Sequence, residues 1–332
     1  MNFPGFVFLR AFFIAVQLTT FAWAAQNLTK TSGKDYDEQG KHLGEQPVRR
    51  RVRACTLIDF SLGRRKPVFS VPSHFTFPIC QDNHYATFYD NNWGIARYAV
   101  YKITAKQAKA ARVPRDGDSW RLTRRPGAVI LQGSNALYKN QPKPSEYDKG
   151  HIVPFGILAY SDQSVRATFT YTNCVPQIDN FNRGQWKVYE MKIVEYARDF
   201  CSPKGGTLYL ITGTSQVQFN EILNTQGKIT GVGKSVQNVK WFHKNVNLGK
   251  RIAIPNSMWT VGCCSSRKYG VVGAFGVMGD NSLNPDLNKF MMSRQSVTYV
   301  EKALRLERRA IKLFPGGKDC YKPRKNVALY RL

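Results

Sequence analysis

Asp148-Lys149-Gly150-His151, Asn173-Cys174-Val175-Pro176-Gln177 and Asn182-Arg183-Gly184-Gln185-Trp186, closed by Glu190, fall within 43 residues of a 332-residue chain. The run through Asn173 to Gln177 reads as a segment leaving a strand. Asn182 reads as the start of a helix reaching Phe200.

An imidazole with a pKa near neutrality takes a proton from water at physiological pH, which makes His151 the candidate general base. Gly150 before it permits tight backbone geometry, and Asp148 can orient the ring or hydrogen-bond a metal-bound water. A structural histidine is the plain alternative. Asn182 offers one neutral amide oxygen, which suits Mg²⁺ because that ion keeps several of its waters. Its alternative is a helix N-cap, a role asparagine fills well. At about 100° per residue, Asn182 and Glu190 stand roughly 80° apart on the helix wheel, so Glu190 can reach a metal-bound water. Asn173 and Gln177 either bond a phosphate oxygen or hold the loop; loop-holding is the safer reading for Gln177. Lys149, beside the base, balances charge building on a phosphate or is a plain surface lysine. A histidine base, a neutral oxygen ligand, nearby carboxylates and cations are what metal-assisted phosphodiester cleavage requires.

Together these residues resemble the DNA/RNA non-specific endonucleases, whose site is a ββα-metal finger. The family's Asp-Arg-Gly-His, Asn-x-x-Pro-Gln and Asn-x-Gly-x-Trp-x-x-x-Glu appear here in order and at the right spacing. Gly205 to Gly213 resembles the family's central strand. Ile254 to Cys264 looks like a segment of secreted animal endonuclease domain-containing 1-like proteins. The resemblance covers most of residues 55 to 320. It implies an α+β fold, with a mixed central sheet flanked by helices and the ββα-metal finger as active site. It further implies His151 as general base and Asn182 as the direct ligand of Mg²⁺, with Mn²⁺ as a substitute. Glu190 and Asp148 would act on the metal's water shell, and Asn173 on the phosphate. Lys149 departs from the family's arginine, keeping the charge but losing the forked geometry. The family's upstream arginine has five candidates around Trp120, namely Arg112, Arg115, Arg121, Arg124 and Arg125, of which Arg115 is chosen.

The rest of the chain agrees with export and a polyanionic partner. Lys and Arg total 49 against 22 Asp and Glu, a net charge of +27, which points to nucleic acid, anionic membrane or acidic polysaccharide. Residues 1 to 24 read as a signal peptide, from Arg10 through an apolar run ending in small residues. Residues 25 to 54 read as a basic flexible leader or propeptide, with a sequon at Asn27-Leu28-Thr29, and 321 to 332 as a basic tail. No later segment is apolar enough to span a membrane. The seven cysteines lack zinc-type pairing and predict disulfides, with Cys263 and Cys264 bonded elsewhere than to each other.

Residues 55 to 320 show no linker and read as one domain. Strands are predicted at 68–71, 85–89, 96–103, 208–212, 250–254 and 270–278. Residues 105–112 form a short helix or an exposed loop, and 182–200 and 293–313 form the two long helices, the second with its charges in solvent. The expected function is a secreted, Mg²⁺-dependent endonuclease acting on DNA and RNA, with no stable protein partner. The competing reading is a secreted basic binding protein that has lost the chemistry.

Overall fold

The computed structural model describes residues 68–69, 76–111, 119–124, 129–139, 141, 147–242, 252–292, 296–308 and 310–322. The signal peptide and leader, Arg115 and the tail beyond Lys322 lie outside them.

A six-stranded sheet organises the molecule, in the order Gly270–Asp280, Ser257–Ser266, Thr207–Ser215, Ile95–Ile103, Tyr85–Asp90 and Thr76–Gln81. The α+β class is as expected. The sheet, expected to be mixed, is antiparallel at every one of these pairings. Its central strands are apolar on both faces because helices cover both. In Ile95–Ile103 the side chains alternate: Ala99 and Tyr101 face one core, Tyr98 and Val100 the other. One core packs Tyr85, Tyr89 and Leu210 against Ile152, Val153, Trp186 and Ile193. The opposite core packs Ile211, Trp259 and Met278 against Leu287, Val297, Val300 and Leu304.

The period of two also decides the disulfides. Cys263 and Cys264 are neighbours on one strand, so their sulfurs point to opposite faces. Cys264 bonds Cys201 and Cys263 bonds Cys320. Cys80 is also disulfide-bonded. Cys174 is a free, buried thiol.

Residues 105–112 resolve as a helix, Ala105–Ala110, started by a reciprocal capping box between Thr104 and Gln107. The helix expected over 293–313 is shorter, Val297–Leu304. Its Glu301 carboxylate accepts the Leu313 N–H at 2.7 Å and the Tyr321 O–H at 2.6 Å, which folds the chain back. Ile311–Lys312 then pairs with Val68–Phe69. Against the expectation of a solvated face, some charges of this segment are buried: Arg308 is buried, and Glu307 ion-pairs with the buried Arg97. Several elements carried no usable sequence signal, including the Val217–Leu223 and Ile229–Val236 hairpin. Among the described residues no helix is long and apolar enough to cross a membrane.

Candidate active site

Tyr147–His151 and Cys174–Ile178 form an antiparallel pair that sets His151 opposite Cys174 and Asp148 opposite Gln177. A helical run follows at once: Asp179–Phe181, a turn at Asn182–Trp186 kinked at Gly184, Lys187–Glu195 and a π-turn at Tyr196–Cys201. The two strands pair across an intervening segment that holds the helix Asp162–Thr168, and the second strand runs straight into the helical run, the strand-strand-helix finger that the family resemblance implies.

Two of the polar residues expected at a phosphate serve the scaffold instead. Asn173 is fully buried. Its Oδ1 accepts the Val153 N–H at 2.9 Å, and its Nδ2 donates to the carbonyls of Val153 at 3.0 Å and Thr168 at 2.9 Å. With both ends of the amide spent on backbone, Asn173 pins the turn after His151 and does not reach substrate. Gln177 is also fully buried. Its side chain lies across Gly150, where an added Cβ would stand 1.8 Å from Oε1. It is packing in the finger, not a phosphate contact. Asn281, which no sequence signal marked, holds the exit of the second strand. Its Oδ1 accepts the Ile178 N–H at 2.8 Å, and its Nδ2 donates to the carbonyls of Pro176 and Pro255 at 3.1 and 2.9 Å.

His151 sits in an aromatic enclosure, with ring centroids 4.6 Å from Trp120, 4.8 Å from Phe169 and 5.4 Å from Phe155. The residue is half-buried, but Nε2 is fully enclosed and makes no hydrogen bond with the described residues. Burial in this apolar box pushes the imidazole pKa down to about 3, well below the neutral range expected from the free side chain. The ring is therefore neutral at physiological pH, as a proton acceptor must be, though a weak one. A phosphodiester anion beside it would oppose the desolvation and draw the pKa upward. Lys149, two residues before on the same strand face, shares this aromatic wall: Nζ is 5.9 Å from the Trp120 ring centroid and donates to Asn135 Oδ1 at 2.8 Å.

Asp148 does not orient the histidine. Strand alternation turns it to the other face, where Oδ2 accepts from Asn182 Nδ2 at 2.9 Å. The Arg183 guanidinium forks the same carboxylate, Nε to Oδ2 at 2.7 Å and Nη2 to Oδ1 at 2.5 Å. That joint ties the histidine strand to the helix start, with His151 about 10 Å further along the strand at 3.3 Å per residue. Asn182 is not a cap, because the helical run begins three residues earlier. Arg183 carries no role in the sequence reading, and its partner is visible only in the fold. Glu190 follows in the helix, its carboxyl beside the Trp186 indole. Burial drives its pKa up to about 8, which Trp186 and Lys187 only partly offset. Among the remaining arginines near Trp120, Arg121 donates to the Arg166 carbonyl.

The donors present fit a hard divalent cation. Asn182 contributes an amide whose Nδ2 end is already fixed, and Glu190 is a half-buried carboxyl that a nearby positive charge would return to its ionised form. Among the described residues no three His, Cys, Asp or Glu side chains converge as a metal cage. An ion retaining most of its water suits this set better than zinc.

Comparison with known proteins agrees with the geometry. The family model described as DNA/RNA non-specific endonuclease matches residues 70–308. A protein named Nuclease from Nostoc sp. is 28% identical over 177 residues, covering 52% of this chain and 60% of that protein. The chain thus spans about three fifths of that relative's length. Nuclease 1, mitochondrial, from Schizosaccharomyces pombe is 36% identical over 70 residues, 21% of this chain and 20% of that one. A chain in the crystal structure of the EndoG/EndoGI complex superposes with a TM-score of 0.50 at 17% identity, covering 72% of this chain and 88% of its own.

Proposed function

Because this chain belongs to the DNA/RNA non-specific endonuclease family, we propose that it is a secreted, Mg²⁺-dependent endonuclease hydrolysing phosphodiester bonds of DNA and RNA with little sequence preference. The observation that carries the reading is the Asp148–Asn182 hydrogen bond, which joins the strand of the neutral base to the helix of the candidate ligand. His151 takes a proton from water. The water oxygen bonds phosphorus in line as the bond to the 3′-oxygen breaks, the departing oxygen takes a proton from solvent water, and a 5′-phosphate and a 3′-hydroxyl result. Lys149 opposes the charge growing on the phosphoryl oxygens. Asn182 would hold the cation directly and Glu190 through its water, and the bound ion would supply charge stabilisation at the phosphate. The family is metal-dependent; oxygen-only donors favour Mg²⁺ as the ion, with Mn²⁺ as a substitute.

The excess of 49 basic over 22 acidic residues supports backbone-phosphate binding, which carries no sequence information. The disulfides Cys201–Cys264 and Cys263–Cys320 support an oxidising compartment, hence secretion. The Ile254 to Cys264 segment supports kinship with secreted animal endonuclease domain-containing 1-like members. The test is plasmid nicking by the purified protein in Mg²⁺ and in EDTA. His151→Ala should lose about 10²- to 10⁴-fold in cleavage rate, with DNA binding in a gel-shift assay retained. Full turnover by that variant removes the base, and nicking that EDTA leaves untouched removes the cation.

A further inference from the structure

We infer that Arg183 is a positioning residue for the cation site: by clamping Asp148 it fixes which end of the Asn182 amide is turned outward. The inference rests on the proposed function in one respect, that Asn182 is the ligand.

An amide has a donating and an accepting end, and only the oxygen can hold a cation. The Asp148 carboxylate, paired with a guanidinium, only accepts hydrogen bonds. It therefore selects Nδ2 of Asn182, at 2.9 Å, and turns Oδ1 away from itself. That selection holds only while the carboxylate stays in place. Arg183 holds it with a two-point fork, Nε on Oδ2 and Nη2 on Oδ1, so neither oxygen can swing off without breaking a charge-assisted bond. Oδ2 receives both Asn182 and Arg183, which makes the three side chains one unit.

The convergence comes from side-chain length. Asn182 and Arg183 both keep helical backbone dihedrals, and the run kinks only at the next residue, Gly184, at φ −95° and ψ −116°. The long arm of Arg183 carries its guanidinium round to the oxygen that the short Asn182 amide already bonds. The exposure is also that of a clamp and not of a core ion pair. The Asp148 side chain is 19% exposed while Arg183 lies over it 70% exposed, so removing Arg183 frees the carboxylate without opening the core.

The test measures Mn²⁺ affinity by electron paramagnetic resonance on the full-length protein, without nucleic acid. Arg183→Ala should weaken binding about 10-fold or more, the usual effect of removing a partner behind a metal ligand. Arg183→Lys should restore only part of it, since an ammonium cannot fork a carboxylate. Arg183→Ala on top of Asp148→Asn should add nothing to the loss caused by Asp148→Asn alone. Arg183→Ala that binds Mn²⁺ within twofold of wild type, with KM raised instead, overturns the proposal and makes Arg183 a phosphate contact. Should the wild type itself bind no Mn²⁺, the proposed function fails, and the clamp is judged by the Asn182 side-chain ¹⁵N–¹H₂ resonances. An unchanged pair in Arg183→Ala rejects it; a shift toward solvent-like values supports it.

Discussion

His151 and Glu190 are displaced in opposite directions by the same cause, burial, and each leaves a signature in stability. His151 is lowered to about 3, so its contribution is present above the unfolded value of 6.5 and is lost as pH falls toward 3. Glu190 is raised from 4.5 to about 8, so its contribution is full below 4.5 and is lost as pH rises through 8. In EDTA the thermal midpoint should therefore fall on both sides of a maximum near pH 5 to 6 as far as these groups govern it. Glu190→Gln cannot ionise and should flatten the alkaline limb, gaining on the order of 1–3 kcal/mol over wild type at pH 8 and nothing at pH 4. Calorimetry across that range checks it; an alkaline limb as steep in the variant as in wild type shows that Glu190 is not the group responsible.

At the level of elements, the finger depends on a contact that no motif reveals. Gln177 lies over Gly150, and both its amide atoms are buried without a described partner. Gly150→Ala should cost about 1–3 kcal/mol by overpacking against that side chain. Gln177→Ala makes room, so the double variant should be more stable than Gly150→Ala alone, a reversal that urea denaturation resolves. Additive losses would mean that the glycine is needed for its backbone and not for the space above it. The long helix shows the opposite balance. Its presence, with Trp186 and Glu190 on it, was legible from spacing; its start three residues before Asn182 and its kink at Gly184 were not.

The described residues build two cores on either side of one sheet, with Cys201–Cys264 in one and Cys263–Cys320 in the other. Cys263–Cys320 ties the segment after the last helix to the far core, closing a sequence separation of 57. Cys320→Ser, with Cys263→Ser to avoid a free partner, should cost about 2–4 kcal/mol of stability. It should leave the Mn²⁺ affinity of the site unchanged, because the site belongs to the other face. A stability loss accompanied by weaker Mn²⁺ binding would show that the two faces are coupled through the sheet.

Residue types at fixed spacing were enough to place a strand-strand-helix finger and to separate Cys263 from Cys264, since covalent order and side-chain period govern those relations. Sequence could not decide how each polar side chain spends its hydrogen bonds. Asn173 and Gln177 look like phosphate contacts until burial closes them off, and Arg183 looks idle until the fold brings Asp148 within its reach. Nor could it decide the protonation of His151, because the aromatic rings that desolvate it come from residues 120, 155 and 169. Those outcomes depend on which groups meet through space, and only the folded chain fixes that.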